Sequence, residues 1–370
     1  MTCEHFGRCG SCTLYNLNYE EQKKFKIDYA KETFSSFGIE KFEWFSSSKK
    51  HYRSRAEFMI YHNEQNISYA MHSLDKSGKL PITNCPKTDS KIVDLMPKLL
   101  TCIEKNEILR KNLFGVEFLS SNSEILISLL YHKKLDGFWK SAAEKCAQTL
   151  NIKLIGRSKN VKISIGGDFI EERLHVKDKA YIYNIYEGSF SQPNRSVNER
   201  MIEWISLRVL DSSRVDLLEL YCGHGNFTIP LSSLFKSVFA TEISKASINA
   251  AKQNANLNNA RNIEFARLSA EELTKVMDGE REFKRLKDID LFSYDFTHIL
   301  IDPPRAGLDA VSREFVKKFK NIIYISCNPE TLKRDLTELT KTHKIAHFAL
   351  FDQFPYTRHI ESGVILNMRN

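Results

Sequence analysis

The 370-residue sequence lacks any apolar run long enough to cross a membrane, and its first residues, MTCEHFGRCGSC, contain no apolar core of the kind found in signal peptides. We therefore expect a cytoplasmic protein with no membrane partner. In that reducing compartment the eight cysteines are expected to be ligands, catalysts or packing residues rather than disulfides. Internal repeats and low-complexity tracts are also absent, which argues against a repeat protein.

The charge balance is mildly basic. The formal net charge is +8, from 54 basic and 46 acidic residues. A charge of this size permits a polyanionic partner such as RNA but does not require one. The length is sufficient for two or three domains with their own hydrophobic cores.

Three regions differ in their patterns. Residues 1–46 form a cysteine-containing segment with a helical pattern that ends near Gly38. Residues 47–180 contain short β-branched or aromatic runs such as RAEFMIYH and NISYAMHS, bounded by turn residues, and predict a strand-rich domain. Residues 181–370 alternate apolar strands with helices, which is typical of a doubly wound, Rossmann-like α/β sheet.

Basic and aromatic residues alternate in two stretches of the strand-rich region, HYRSRAEF and LYHKK. Such side chains can bind an RNA backbone, but they can equally form the solvated face of a sheet. The candidates for RNA contact are Arg53, Arg55, His132, Lys133 and Lys134.

A glycine loop opens the α/β region. In LLELYCGHGNFTIPL, Gly223 and Gly225 follow the first strand directly, and Glu242 ends the second strand 19 residues after Gly223. Glycines permit a tight turn beside a ligand, and a carboxylate at this distance can bind ribose hydroxyls. The third glycine of a dinucleotide-binding loop is missing, which favours a nucleoside ligand without pyrophosphate such as S-adenosylmethionine. A structural turn with a surface glutamate is the alternative.

Two further strand ends carry chemistry. Asp302 ends the strand in ILIDPPRAGLD, at the sheet edge where ligands bind in open α/β folds. Arg305 follows the prolines where amino-group methylases carry an aromatic residue, which argues against a nitrogen acceptor. Cys327 ends the next strand, in NIIYISCNPETL, and taken alone it is most simply a packing cysteine.

Beside a methyl donor, however, a thiolate has a specific use. Uracil C5 is a poor nucleophile, but addition of Cys327 to C6 makes it nucleophilic enough to accept a methyl group, and a base must then remove the C5 proton. We expect the site to favour the thiolate through polar donors or a helix N-terminus. Glu361 is the predicted base and His359 its local rival. A surface carboxylate is the plain alternative for Glu361.

These motifs resemble the RNA uracil-5-methyltransferase family, through SFSQPN, LLELYCGHGNF, TEIS, IDPPRAGLD, YISCNPETL and LFDQFPYTRHIESGV. HYRSRAEFMIYH, SLLYHKKLD, LIGRSKN and EREFKRLKDIDL resemble its tRNA-modifying branch. The resemblance implies a class I S-adenosylmethionine-dependent methyltransferase fold, Cys327 as nucleophile and Glu361 as proton acceptor. It also implies a donor and uracil pocket lined by Gln192, Tyr221, Asn226, Glu242 and Asp302.

The implied substrate is the T-loop uridine at position 54 of tRNA, together with the similar loop of tmRNA, methylated at C5 by a monomeric enzyme. That base lies inside a folded loop, so it must be flipped out to reach the thiol. A 23S rRNA uracil-5-methyltransferase is the alternative within the family. A non-catalytic RNA-folding module is the alternative of another class, although such a module would tolerate loss of Cys327 and Glu361 and both are present.

The amino-terminal cysteines depart from the tRNA-modifying branch. Cys3, Cys9 and Cys12, followed by Cys85, resemble the four-cysteine iron–sulfur motif of the rRNA-modifying branches. Four thiolates suit a [4Fe–4S] cluster, a four-cysteine zinc site fits the spacing as well, and thiols without metal are the third possibility. The remaining cysteines, Cys102, Cys146 and Cys222, are expected to pack in the core.

Overall fold

The structure, a computed structural model, describes residues 1–39, 41–63, 66–209 and 212–369. Within these ranges its strands are β1 (Glu43–Phe45), β2 (Arg55–Asn63), β3 (Asn66–His72), β4 (Lys79–Ile82), β5 (Leu113–Ser120), β6 (Ile125–Tyr131), β7 (Lys153–Ser158), β8 (Val161–Ile165), β9 (Phe169–Val176), β10 (Lys179–Tyr186), β11 (Asp216–Leu220), β12 (Ser237–Thr241), β13 (Ile263–Ala266), β14 (Phe296–Ile301), β15 (Asn321–Ser326), β16 (His343–Phe351) and β17 (Glu361–Met368).

The α-helices in the same ranges are α1 (Tyr19–Thr33), α2 (Ser90–Glu104), α3 (Glu107–Arg110), α4 (Gly137–Leu150), α5 (Arg195–Ser206), α6 (Thr228–Ser232), α7 (Lys245–Leu257), α8 (Ala270–Met277), α9 (Ala310–Val316) and α10 (Pro329–Leu339). Short 3₁₀ turns cover Ser35–Phe37, Lys284–Leu286 and Leu291–Ser293, and Gly38 ends the first of them in a left-handed conformation. None of the helices in the described ranges combines the length and the apolar character that crossing a bilayer requires.

An eight-stranded sheet in the order β1-β16-β17-β15-β14-β11-β12-β13 forms the carboxyl-terminal part. Its central strands β11, β14 and β15 are almost fully buried because helices cover both faces. In β15, Ile322 and Tyr324 pack into one hydrophobic cluster, whereas Ile323 and Ile325 pack into another on the opposite face. Parallel pairing prevails except at β17, which runs antiparallel between β15 and β16. The predicted doubly wound α/β fold is confirmed.

A second, seven-stranded sheet in the order β4-β3-β2-β5-β6-β7-β8 forms the strand-rich part. Helices α2, α3 and α4 cover one face and share a hydrophobic cluster with it. The crossover helix α4 makes the parallel pairing of β6 with β7 possible. Gly156 of β7 permits α4 to pack closely, because a Cβ atom there would lie 2.3 Å from the ring of Trp139.

The hairpin of β9 and β10 connects the two parts of the chain. Strand β10 is covered at its open edge, because Asn254 of α7 and Asn258 at the end of that helix form side-chain hydrogen bonds with the backbone of Ile182 and Asn184. The boundary predicted between residues 180 and 181 falls inside β10, and β1 of the amino-terminal segment pairs with β16. The predicted division at residues 46 and 180 remains a prediction about folding units.

The expectation that the cysteines form no disulfides is wrong, although Cys102 and Cys146 pack in the core as predicted. Cys102 of α2 and Cys146 of α4 form a disulfide in the structure, with their Cα atoms 6.3 Å apart. The two helices pack side by side over the seven-stranded sheet, which brings together cysteines that are 44 residues apart in sequence. Cys222 is buried in the core and unpaired, as expected of a packing cysteine.

Candidate active site

The antiparallel pairing of β15 with β17 brings Cys327 and Glu361 together. Ser326 of β15 is paired with Ser362 of β17, so Cys327 and Glu361 occupy the next position along the same two strands. Both side chains line a cavity of about 860 Å³. Glu361 is buried and Cys327 is partly exposed, so the cavity presents the thiol next to a carboxyl group.

The turn that carries Cys327 is fixed by local hydrogen bonds. Asn328 caps α10, with its side chain accepting from the amide of Glu330 at 3.2 Å, and Pro329 occupies the first helical position. The Asn328 amide group also donates to the carbonyl oxygen of Arg305 at 3.1 Å. The exits of β14 and β15 are therefore held together beside the thiol.

Burial and like charges dominate the electrostatics of this edge. Burial, with Asp302 adding to it, raises the pKa of Glu361 to about 8, and burial raises the pKa of Asp302 to about 7. Burial and the two carboxylates raise the pKa of the Cys327 thiol to about 11, which the nearby Arg305 lessens. In the protein without RNA, burial and the two carboxylates therefore oppose the thiolate more than Arg305 favours it, so the expected thiolate remains a prediction for the complex with RNA. A carboxyl group with a pKa near 8 is nevertheless suited to accept a proton near neutral pH.

A second cavity, of about 530 Å³, lies at the same sheet edge between the glycine loop and the loop after β14. Tyr221, Glu242 and Pro304 contribute to its walls. The Gly223 amide donates to the Glu242 carboxylate at 3.3 Å, so the glycine loop and its acidic partner meet as their 19-residue spacing suggests. Gly223 has a φ of 57°, which L-residues rarely adopt.

The other candidate pocket residues lie elsewhere. Gln192 lines the cavity of Cys327 and accepts a hydrogen bond from the Gln353 side chain at 2.7 Å. Asn226 exchanges two hydrogen bonds with Asn198, at 2.7 and 2.9 Å, and lines a small space together with Asn198 and Gln192. Asn198 was missed by the sequence analysis, since an asparagine inside an amphipathic helix gives no signal of its own.

The basic candidates for RNA contact separate into two sites. Arg53 and Arg55 line the cavity of Cys327. The other three candidates line a groove of about 660 Å³ on the seven-stranded sheet, and Arg157 and Lys159 line it with them. These three candidates are His132, Lys133 and Lys134. The Cys327 cavity also contains Lys87 and Phe354, which the sequence analysis did not select. Proximity to Cys85 was the available signal for Lys87.

The four amino-terminal-region cysteines converge near this cavity. The pKa of Cys12 is raised to about 11, first by burial and then by the thiols of Cys85, Cys9 and Cys3, and Cys85 itself lines the cavity. In the described ranges no group of three or more His, Cys, Asp or Glu side chains is placed to hold a metal ion. The thiols are therefore neighbours but are not arranged as ligands.

Known proteins resemble this chain over nearly its whole length. The family model of tRNA (uracil-5-)-methyltransferase matches residues 18–369. A tRNA/tmRNA (uracil-C(5))-methyltransferase of Campylobacter concisus is 51% identical over 369 residues, covering 100% of both chains. A protein of the same description from Acinetobacter baylyi is 46% identical over 357 residues, covering 95% of this chain and 99% of the other.

A solved structure shares the fold. The tRNA (uracil-54, C5)-methyltransferase of Pyrococcus abyssi, in complex with S-adenosyl-L-homocysteine, aligns with a TM-score of 0.74 at 23% identity, covering 96% of this chain and 85% of that chain. The fold is thus that of an S-adenosylmethionine-dependent methyltransferase. With the family model and the relatives in agreement over nearly the whole length, the chain belongs to the tRNA (uracil-5-)-methyltransferase family.

Proposed function

We propose that this protein transfers the methyl group of S-adenosylmethionine to C5 of the T-loop uridine at position 54 of tRNA, and to the equivalent uridine of tmRNA. The observation that carries the proposal is the placement of Cys327 beside Glu361 in one cavity, with the glycine-loop cavity at the same sheet edge. A flipped-out uracil entering the first cavity meets a nucleophile and a base, and a donor in the second cavity lies along the same edge.

The proposed reaction has three steps: addition of the thiolate, methyl transfer and elimination of the thiolate. The Cys327 thiolate adds to C6, and the C5=C6 electrons move onto the carbonyl oxygen as an enolate. C5 then attacks the donor methyl group, the C–S bond of the sulfonium breaks, and S-adenosylhomocysteine leaves. Glu361 takes the C5 proton, the C5=C6 bond re-forms and the thiolate is expelled. RNA binding must favour the thiolate, because burial and the two carboxylates oppose it in the free protein.

The remaining pocket residues receive proposed roles from their positions. Glu242, at the glycine loop, would hold the donor ribose hydroxyls, and Tyr221 would form a wall of the same site. Asp302, which follows β14 and lies near enough to Glu361 and Cys327 to raise the pKa of both, would contribute to the donor and uracil pocket. Gln192, in the cavity of Cys327, would contact the uracil edge, and Asn226 with Asn198 would line the small space that Gln192 also borders.

The direct test uses purified protein and donor labelled in its methyl group. Unmodified tRNA, tmRNA and 23S rRNA transcripts serve as parallel substrates. We expect labelled 5-methyluridine at position 54 of tRNA and in the equivalent loop of tmRNA, identified by nucleoside mass spectrometry after site-specific digestion. Label in 23S rRNA with none in tRNA would overturn the tRNA assignment and establish the rRNA alternative.

We also propose that the strand-rich region supplies most of the affinity for RNA, because its groove combines Lys133, Lys134, Arg157 and Lys159 with aromatic walls. Replacing Lys133 and Lys134 together by glutamine is expected to weaken tRNA binding and to reduce the salt slope of log K by about 2, since each phosphate contact contributes roughly one unit. Filter binding across a salt series measures this. Donor affinity, measured by calorimetry, should not change.

The matched control replaces two lysines of the other part of the chain, Lys317 and Lys341, each of which is paired with Glu338. That variant should keep the wild-type salt slope. Equal slopes for both double variants would refute the assignment of RNA binding to the groove.

We further propose that Cys3, Cys9, Cys12 and Cys85 bind a [4Fe–4S] cluster. Their mutual proximity supports this, although no ligand arrangement is present in the described ranges. Bound there, a cluster would tie the amino-terminal segment to the loop that contains Cys85. Anaerobically purified protein is expected to be brown, with about four irons per chain. Cys85→Ser should lose the iron, whereas Cys222→Ser should retain it. Stoichiometric zinc without iron would contradict the cluster and indicate a zinc site. Protein free of both metals would also contradict it and indicate thiols without metal.

A further inference from the structure

Residues 352–360, which connect β16 to β17, are called the connecting loop here. The loop leads directly into Glu361 at the start of β17. Three of its side chains, Phe354, Thr357 and His359, line the cavity of Cys327. The loop therefore forms one wall of the cavity, and its position also determines where the Glu361 side chain lies in that cavity.

The loop is fastened to the amino-terminal helix α1 by a buried ion pair. The Lys26 ammonium donates to Asp352 Oδ1 at 2.6 Å and to the carbonyl oxygen of Phe354 at 3.0 Å. The two charged side chains are only 1% and 2% exposed. Desolvating two charges offsets most of their attraction, and an apolar pair of similar volume often stabilises a fold equally well. What the ion pair adds is direction, because its hydrogen bonds fix where the loop leaves β16.

A second fastening lies four residues further along, at Tyr356. Its amide donates to the Gln22 side chain of α1 at 2.7 Å, and its carbonyl oxygen accepts from the Leu14 amide at 2.9 Å. Tyr356 has a φ of 64°, a left-handed conformation that a bulky residue adopts only when its surroundings hold it there. The amino-terminal segment therefore holds the loop at both its beginning and its middle.

We propose that Lys26 and Asp352 are positioning residues for methyl transfer, whose ion pair holds the connecting loop so that Glu361 meets the Cys327 thiol and the bound uracil. This inference rests on the proposed function. It predicts a defect in the step that uses Glu361, namely removal of the C5 proton, with a smaller effect on the addition of the thiolate. Loss of folding would instead reduce every step equally.

The test compares a double variant of the buried pair with a double variant of an exposed pair on α1. Lys26→Met with Asp352→Asn removes the buried pair without leaving a lone charge. Lys24→Met with Asp28→Asn removes an exposed pair of the same residue types, 79% and 53% exposed, and serves as the control. RNA carrying 5-fluorouridine at the target traps each competent molecule covalently, because fluorine cannot leave as a cation, and thus counts the active fraction. Turnover on ordinary tRNA is then expressed per competent molecule.

We expect the buried-pair variant to trap as many molecules as the wild type but to turn over at least about tenfold more slowly, since a misplacement of about 1 Å can cost on the order of 100-fold. Its covalent adduct with ordinary tRNA should accumulate. The exposed-pair variant should behave as wild type. Lys26→Arg keeps the charge but displaces the hydrogen-bond donors, so we expect a smaller defect of the same kind. This variant provides the test if the buried-pair double variant does not fold.

Two results would overturn the inference while leaving the proposed function intact: normal turnover per competent molecule in the buried-pair variant, or a fall in trapped fraction that accounts for the whole loss. A wild-type protein that forms no adduct with fluorinated RNA would instead remove the proposed function, and the inference with it.

Discussion

Glu361→Gln is expected to stop the reaction after methyl transfer and to accumulate a covalent protein–RNA adduct. Without a carboxylate the C5 proton stays in place, so the C5=C6 bond cannot re-form and the thiolate cannot be expelled. Cys327 lies beside Glu361 across the β15–β17 pairing and is unchanged in this variant. Turnover should fall on the order of 100- to 10,000-fold, the range that a general base supplies.

The measurement is a denaturing gel run after incubation with tRNA and donor labelled in its methyl group. A band of protein linked to RNA that carries the label shows that both addition and methyl transfer occurred. Glu314→Gln, at an exposed carboxylate that pairs with Lys317, is the control and should turn over normally without a trapped band. Normal turnover in Glu361→Gln would move the base role to His359 or to solvent.

The pH dependence gives an independent reading of the same group. Burial and Asp302 raise the pKa of Glu361 to about 8, so at neutral pH much of it is protonated and unable to accept the C5 proton. Wild-type turnover should therefore increase as the pH rises through the region of 8. This rise in the pH–rate profile reports the coupled titration of Glu361 and Asp302 rather than of either group alone.

Cys327→Ala is expected to abolish both adduct and product. Cys327 is the thiol opposite Glu361 across the β15–β17 pairing, whereas Cys85, another thiol of the cavity, lies with the amino-terminal cysteines. Without addition at C6 the C5 atom of uracil is too weak a nucleophile to accept the methyl group. Because the side chain is partly exposed at the end of a strand, its truncation should leave the fold intact.

The measurement combines nucleoside mass spectrometry for 5-methyluridine with the denaturing gel, using both ordinary and 5-fluorouridine-containing RNA. Donor binding by calorimetry should match the wild type, which shows that the donor cavity remains formed. Cys222→Ala, at a buried core cysteine, is the control for cysteine loss and should still form the adduct. Product formation by Cys327→Ala would mean that the thiol is only a packing residue.

Much of the α/β part was predictable from local patterns. Strands β14 and β15 contain the apolar runs ILI and IIYI, and such runs separated by helical segments have few solutions other than a sheet covered on both faces. The approach of Gly223 to Glu242 followed from the same reasoning, because adjacent parallel strands place their exits at one edge.

Other elements escaped prediction for a physical reason. Strand β7 contains Gly156 and two basic residues, and β9 contains four charged or histidine residues, so neither has the pattern of a buried strand. Their pairing depends on partners distant in sequence, such as the Trp139 ring over Gly156, rather than on local propensity. The roles suggested for the site residues came from family resemblance and not from local pattern.

Sequence alone determined which side chains carry chemistry: a thiol, a carboxylate and a glycine loop, each at the end of an apolar strand. Only the tertiary structure decided which of them meet. The antiparallel pairing of β17 with β15 places Glu361 next to Cys327. The buried ion pair of Lys26 and Asp352, which are 326 residues apart in sequence, holds the connecting loop that leads to Glu361. The tertiary structure also determined the electrostatic surroundings of Cys327. Burial and the neighbouring carboxylates raise the pKa of its thiol, whereas the sequence of the turn led us to expect a thiolate. Such effects depend on distances between groups remote in sequence, which no local pattern records.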